Sequence, residues 1–515
     1  MEGNMSAKNF RKFIVTFLLS LGVFIGISSF TGNVVSAEEN NDDTFVLGFD
    51  AEFPPYGYRD SNGEYVGFDL DLAQEVCNRN GWKFVKQPID WDTKDMELNS
   101  GIIDCIWNGF TMDGREDAYT FSEPYIDNSQ VVVVKKGSGI TKLSDLAGKH
   151  MIVQADSSAL AAFTGEDATK KNKDLAYSFA SLQQVPDYNT AFMNLEAGAA
   201  DAVCLDMGVA SYEVANRGDK FTVLSEHVSS EKYAVGFKKG NTELRDKVQA
   251  SLNEMVADGT LDKIADKWGL TESICLGKES KSGAKVDVKT DIPASSSTKI
   301  NFGDMIRQIS KGMGRSVAIF LLTLLFSIPL GLCITFVRRS KIGVFRWIAR
   351  VYISILRGTP LMLQLIVAFY GPYYLFGLAL SPDTRFRAVI IAFTLNYAAY
   401  FAEIFRGGLE GIPVGQSEAA KVLGYNKWQT FWKILFPQMV KRVMPTVTNE
   451  TITLVKDTSL SYAIAYTEMF TIAKQVAANQ SSIIALFVAG VFYYIFNAIV
   501  EFVMGRIEKK LNYFN

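Results

Sequence analysis

The sequence predicts an α/β domain of two lobes followed by an all-α membrane domain of about five helices. Three observations point there. Strand-like runs alternate with helical patterns from Thr44 to about Leu276, the signature of α/β units with parallel strands. Long apolar runs fill the last third of the 515 residues, each long enough to span a bilayer. The net charge of -3 also hides a division: residues 300–515 hold 22 Lys+Arg against 10 Asp+Glu, and the remainder holds 30 against 45. An acidic half joined to a basic half indicates two environments and argues against a nucleic-acid partner.

The first segment, 1–37, reads as an export signal. Lys8, Arg11 and Lys12 precede an apolar run from Phe13 to Phe30, and Val35, Ser36 and Ala37 offer small residues for cleavage after Ala37. The apolar run carries no cysteine at its end, so a lipid anchor is not expected and something else must hold the exported domain at the membrane. Five cysteines, at 77, 105, 204, 275 and 333, are too few and too scattered for a disulfide framework, although four of them could hold one bridge. With two histidines and no paired cysteine spacing, no metal site is expected.

Within 44–276 the strands TFVLGFD (44–50), DCIWNGF (104–110), KHMIVQA (149–155) and ADAVCLD (200–206) form two similar series. QVVVVKKG (130–137) and KYAVGFKKG (232–240) join them as two hinge strands. Ligands in such folds bind beyond the C-terminal ends of strands. The residues there are Asp50, Phe53, Tyr56, Trp91, Asn108, Gly109, Thr111, Arg115, Ser157, Ser158 and Asp206. Their types fit an α-amino acid. Arg115 offers a bidentate fork for a carboxylate, and the chain near Ser157 and Ser158 offers backbone N–H groups. Asp206 suits an ammonium. Phe53 and Trp91 offer aromatic faces, and Asp50 favours a donor at the side-chain end, amide or cation. Taken singly each has an ordinary structural role; their joint placement is the signal.

GFDAEFPPYGY, GEYVGFDLDLAQEV, IDWD, IWNGFTMDGREDAYTFSEPY and ADAVCLD together resemble the polar amino-acid solute-binding proteins of ABC importers, over about 230 residues. The resemblance implies a periplasmic-binding-protein-like trap that closes two lobes on its ligand. It puts the carboxylate-binding Arg at Arg115, the ammonium partner at Asp206 and the stacking aromatics at Phe53 and Trp91. The chain departs from the pattern at Asp156-Ser157-Ser158, where Gly-Thr or Gly-Ser is usual, and its Thr111-to-Arg115 spacing is one shorter than in some members.

Residues 277–300 are Ser/Lys-rich without apolar period, a flexible tether. Expected spans follow at 317–337, 351–377, 386–407, 443–466 and 482–503. Arg338, Arg339, Lys341, Arg346 and Arg350 place the first loop in the cytoplasm, which leaves the binding domain outside. Between spans lies EAAKVLGYNKWQTFWKILFP. Its Glu418, Ala419, Ala420, Gly424, Ile434 and Pro437 match the EAA loop of ABC importer permeases, with Phe436 where Leu is usual. RGTPLMLQL (357–365) and NETITLVKDTSL (449–460) also resemble the polar amino-acid permeases. The resemblance implies a cytoplasmic loop gripped by an ATPase, Gly424 at a turn and Pro437 stopping the segment before the next span. Glu450 and Asp457, seven apart on one helix face, are costly in a membrane and suit either a substrate path or a structural role, such as Asp457 capping a bend near Lys456.

No G-x-x-x-x-G-K-[ST] occurs, so ATP and Mg belong to a separate ATPase subunit and no cofactor is expected in this chain. No nucleophile–base set appears either. The expected function is ATP-driven import of a polar amino acid, glutamine or a basic one favoured and cystine or glutamate open, by a homodimer in the lipid of the cytoplasmic membrane. A chemoreceptor would need a cytoplasmic signalling module where only a short tail follows Val503. A ligand-gated channel would interrupt the second lobe with its pore, and here both lobes come complete before the first span.

Overall fold

Every second residue of TFVLGF turns its side chain into a core, and Phe45, Leu47 and Phe49 are fully buried there. This strand, β1 (Thr44–Phe49), organises the first lobe of a computed structural model that describes residues 44–278, 301–378, 380–381, 384–480 and 482–511. The signal segment and nearly all of the 277–300 tether lie outside the described residues.

The first lobe continues through β2 (Glu52–Phe53), β3 (Gly57–Arg59), β4 (Tyr65–Val66), α1 (Phe68–Asn80), β5 (Lys83–Pro88), α2 (Lys94–Asn99), β6 (Cys105–Ile106) and β7 (Tyr119–Phe121). The second holds β8 (Ile126–Lys135), β9 (His150–Gln154), α3 (Ser158–Thr164), α4 (Lys170–Ser178), β10 (Ser181–Val185), α5 (Tyr188–Ala197), β11 (Ala202–Asp206), α6 (Met207–Arg217) and β12 (Phe221–Tyr233). The chain then returns to the first lobe with β13 (Gly236–Lys238), α7 (Thr242–Ala257) and α8 (Thr260–Lys267). The sheet orders are β5-β1-β6-β13-β7 and β10-β9-β11-β8-β12.

The expectation of parallel strands holds for β5-β1-β6 and β10-β9-β11. It fails where the chain enters or leaves a lobe. β13 is antiparallel to β6 and β7, and β8 is antiparallel to β11 and β12. Of the two expected hinge stretches, 232–240 holds a crossing and 130–137 does not. Val131 to Val134 are all buried inside the second sheet, as a central strand requires. The crossings between lobes are the short stretches 122–125 and 234–235.

The membrane half holds α9 (Phe302–Arg338), α10 (Gly343–Gly358), α11 (Leu361–Phe376), α12 (Thr384–Glu410), α13 (Val414–Val422), α14 (Lys427–Thr430), a π-helical turn Phe431–Leu435, α15 (Phe436–Asp457), a 3-10 turn Thr458–Ile464, α16 (Met469–Asn479) and α17 (Ile484–Leu511). Among the described residues three helices are long and apolar enough to cross a membrane: α9, α12 and α17. A fourth span arises if α10 and α11, bent by 111°, count as one. The expected span 351–377 is therefore broken. Pro360 cannot donate and drives Thr359 to extended backbone (φ -120°, ψ 148°), as a residue before proline prefers. The expected span 443–466 also ends early, because α15 stops at Asp457 and continues as a 3-10 turn. Pro437 does not stop the preceding segment either. It sits in the first turn of α15, where its missing N–H costs nothing.

Small residues let α9 and α12 touch. A Cβ on Gly331 would lie 2.8 Å from the Phe401 Cβ, and the Thr335 hydroxyl donates to the Ala402 carbonyl at 3.0 Å. Close backbone approach of this kind is the usual means of helix association in lipid.

The first lobe sits on the end of this bundle opposite residues 414–435. Arg385, at the start of α12, pairs with Glu97 of α2, and both are almost wholly buried. Tyr370 donates to Glu97 at 3.0 Å, and Arg385 donates to the Pro88 carbonyl at 3.1 Å. Arg59 donates to Gln308 at 3.1 Å, and Asn479 donates to the Arg59 carbonyl at 2.7 Å. Glu97→Ala leaves a buried guanidinium without its carboxylate, at a cost on the order of 3–5 kcal/mol. Amide hydrogen exchange should rise on both sides of this joint. Adding Arg385→Met should restore most of the protection, since two apolar groups leave no stranded charge.

Candidate functional site

The cavity between the lobes is built by strand ends and the turns that follow them. Asp50 follows β1, and its Oδ1 accepts from the Glu52 N–H at 2.8 Å. Phe53 ends β2, and its ring lies 5.9 Å from that of Tyr188 across the cleft. Trp91 opens a 3-10 turn capped by Asp90. Asn108 and Gly109 follow β6, and the Gly109 N–H donates to the buried Asp69 at 2.6 Å. Gly109 has φ +57°, and a Cβ there would stand 2.9 Å from the Tyr233 ring, so both backbone and space require glycine.

All ten expected residues, Asp50, Phe53, Trp91, Asn108, Gly109, Thr111, Arg115, Ser157, Ser158 and Asp206, line one cavity of about 340 Å³, counting open solvent at its mouth. Gln154, Asp156 and Tyr188 join them. Tyr56 lies behind the wall, its ring 5.6 Å from Phe53 and edge-on to Tyr233.

Each polar wall is held from behind. Arg115 stands over the Phe110 ring at 5.0 Å and donates once to the Thr111 carbonyl at 3.3 Å. Its fork is thereby aimed while further N–H groups stay available. Ser157 caps α3 by accepting from the Leu160 N–H at 3.2 Å, and Ser158 of the second lobe donates to Thr111 of the first at 2.8 Å. Asp206 makes no side-chain cap on α6. Its carboxylate accepts from Asn128, Gln130, Tyr188 and Tyr233 at 2.9, 2.7, 3.0 and 2.5 Å. The Asn128 and Gln130 amides also donate to the buried Glu231 beside it, at 2.6 and 2.7 Å.

The departure at Asp156 has a partner. Asp156 pairs with Lys94 of the first lobe, so the extra acid closes the cleft across its mouth. Asp156 has φ +50°, the backbone that glycine supplies more easily. Lys94 follows Trp91 in IDWDTKD and its side chain is buried; a lysine three residues after the aromatic was the available signal for it. Tyr188 follows the capping residue Asp187 and carried no comparable signal. The five cysteines are free.

Outside the cavity, Glu418 and Ala419 are exposed and Ala420 is buried under the turn at Gly424, which has φ +79°. Ile434 lies in the π-helical turn. This segment is thus helix, turn and helix. Val422, Leu423 and Trp428 are 88%, 73% and 66% exposed, an apolar face that no described residue covers. Glu450 and Asp457 lie on α15, and the Tyr397 hydroxyl of α12 donates to Asp457 at 2.7 Å.

A two-lobed cavity domain mounted on a bundle of apolar helices defines a membrane transport subunit with its own capture domain. Residues 45–271 match the bacterial extracellular solute-binding proteins, family 3, and residues 327–513 match the binding-protein-dependent transport system inner membrane component. The membrane half is 33% identical over 216 residues to the L-cystine transport system permease protein TcyB of Bacillus subtilis, covering 41% of this chain and 91% of that protein. It is 33% identical to the arginine transport system permease protein ArtQ of the same organism, covering 41% and 97%. The crystal structure of an ABC uptake transporter substrate-binding protein from Streptococcus pneumoniae with bound histidine is 35% identical, covers 44% of this chain and 92% of that chain, and gives a TM-score of 0.41. The chain belongs to the polar amino-acid ABC importers, as a fusion of solute-binding protein and permease. Both families are transporter components, not enzymes.

Burial pushes the Asp50 carboxyl up to about 6, partly offset by the Glu52 N–H. A raised carboxyl stabilises the fold while protonated. That contribution is complete below the usual carboxylate range and is lost as pH rises through about 6. Asp50→Asn should therefore raise the thermal midpoint of the unliganded chain at pH 8, by on the order of 2 kcal/mol in stability, and leave it unchanged near pH 4. Calorimetric melts at the two pH values check this.

Proposed function

We propose that the cavity captures a polar amino acid outside the cell and delivers it to the membrane half of the same chain. The observation that carries this reading is the pairing of Arg115, from the first lobe, with Asp206, from the second, in one cavity with Phe53 and Trp91. A carboxylate and an ammonium on one carbon need those two charges on opposing walls. Ser158 and Thr111 add hydroxyls at the cleft, and Asp50 takes the far end of the side chain, either an amide or a cation. Arginine, lysine and glutamine are the leading candidates.

In calorimetric titrations of the full chain in lipid nanodiscs, one polar amino acid should bind with micromolar or tighter affinity. Arg115→Ala and Asp206→Ala should each weaken it by about a hundredfold or more, the scale of a lost charge-assisted pair. A cationic side chain favours ionised Asp50, so its affinity should fall as pH drops below about 6. Glutamine affinity should stay level over that range.

Permeases of this class work with an ATPase subunit. We assign its docking face here to Glu418, Ala419, Ala420, Gly424, Ile434 and Pro437, supported by the exposed apolar residues around them. The basic residues Arg338 and Arg406 lie at the same end of the bundle, bonded to Glu403, which supports a cytoplasmic position for that end and an outer one for the binding domain. Glu450 and Asp457 would line the path between. Three spans among the described residues, or four with the bent pair, are few for an enclosed path, and α17 exposes Phe487, Val491 and Tyr494; a homodimer with two binding domains fits both facts. Gly424→Val strains a left-handed turn far from the cavity. It should abolish amino-acid-stimulated ATP hydrolysis while leaving the calorimetric affinity unchanged.

A further inference from the structure

The amino-acid reading leaves one lysine unexplained. Lys474 lies near the middle of α16, in the membrane half. Its Nζ stands 3.3 Å from Glu52 Oε1 and 3.8 Å from Asp187 Oδ2. Glu52 belongs to the first lobe and Asp187 to the second. A single ammonium of the permease thus touches a carboxylate on each jaw of the trap.

Both carboxylates are tied to the cavity. Glu52 directly precedes Phe53, and Asp187 directly precedes Tyr188, the two aromatics that face each other across the cleft at 5.9 Å. The Glu52 N–H is held by Asp50, which itself lines the cavity. Asp187 is fixed by its other oxygen, which accepts from the Thr190 N–H at 2.7 Å and caps α5. Lys474 is placed by the Tyr462 ring, 5.7 Å away, and Asp50 and Asp90 add to the negative field around it. Opening the cleft about 122–125 and 234–235 must carry Asp187 away from Glu52. One ammonium can then reach only one of them.

We propose that Lys474 is the positioning residue through which the permease reads lobe closure, binding Glu52 and Asp187 together only when the trap is shut. This inference deepens the amino-acid reading and rests on it for what closes the trap. The charge layout gives it a direction. Docking favours the closed domain over the open one, and ligand binding, which closes the lobes, favours this contact. By reciprocity the contact must also raise ligand affinity in the docked chain.

The test uses the full chain in lipid nanodiscs, with spin labels on non-natural residues at Tyr177 of the second lobe and Asn253 of the first, both exposed. Electron–electron distance measurements then read the closed and open populations without added amino acid. Lys474→Gln should lower the closed-to-open ratio by about tenfold, the size of a half-buried charge contact spanning two partners. Lys474→Arg should restore the ratio. Glu52→Gln with Asp187→Asn should give the same shift, and adding Lys474→Gln to that pair should give nothing further. An unchanged ratio in Lys474→Gln, or additive effects in the combined variant, would overturn the proposal. Calorimetry on the same wild-type sample separates the two readings: no amino acid bound, with the Lys474 effect present, would remove the ligand assignment and keep the closure contact.

Discussion

An arginine inside a protein keeps its charge, so something must answer it. Arg385 begins α12 almost wholly buried, and its answer is Glu97, in the other half of the molecule. The Pro88 and Ala465 carbonyls take further donors. This one node decides how the halves sit. It seats α2 over the ends of α11 and α12, which brings Tyr370 and Tyr373 under the first lobe. β2 and β3 lie along α16, where Asn479 donates to the Arg59 carbonyl. With the first lobe held in this way, the hinge crossings leave the second as the part free to move. The second lobe meets the membrane half at Asp187, beside Lys474.

The region that meets the lobes and the region proposed to meet the ATPase are one run of chain. From Val414 it passes through α13, the turn at Gly424, the π-helical turn, α15 and a 3-10 turn to α16. Helices transmit displacement because their backbone bonds are internal and stiff. α15 carries Glu450 and Asp457, and Asp457 is bonded to α12 through Tyr397. A shift at one end of residues 414–479 must therefore be absorbed within α15 or carried to the other end. The 3-10 turn after Asp457, with Ala465 in a left-handed conformation at φ +50°, is the place where such a shift changes direction.

The sequence makes some of this legible and leaves other parts dark for physical reasons. The cavity residues can be read because each follows a strand, and strand ends are where such folds present side chains to a ligand. Lys94 shows only as a lysine after an aromatic, and Tyr188 gives no sign at all. The break at Thr359 is written in RGTP, yet the apolar composition runs through it, so hydropathy reads 351–377 as a single span. The docking contacts leave no local trace. Glu97 and Arg385 are 288 positions apart, and no periodicity links them. Glu52 stands between the cavity residues Asp50 and Phe53 in the sequence, yet its carboxylate is turned toward Lys474.

Arg385 and Lys474 each tie the halves together through ion pairs, and their burial suits them to different tasks. Arg385 and Glu97 are 4% and 0% exposed, so parting them strands charge where water does not reach, at about 3–5 kcal/mol. Such a contact resists parting. Lys474 is 25% exposed at its side chain, with Glu52 at 12% and Asp187 at 8%. Water can replace either carboxylate as it leaves, so the cost is nearer that of a surface pair, about 1 kcal/mol or less for each contact. A joint that must hold and a contact that must let go cannot both be deep or both be shallow. Here the deep pair falls on the lobe that is anchored, and the shallow one bridges to the lobe that swings.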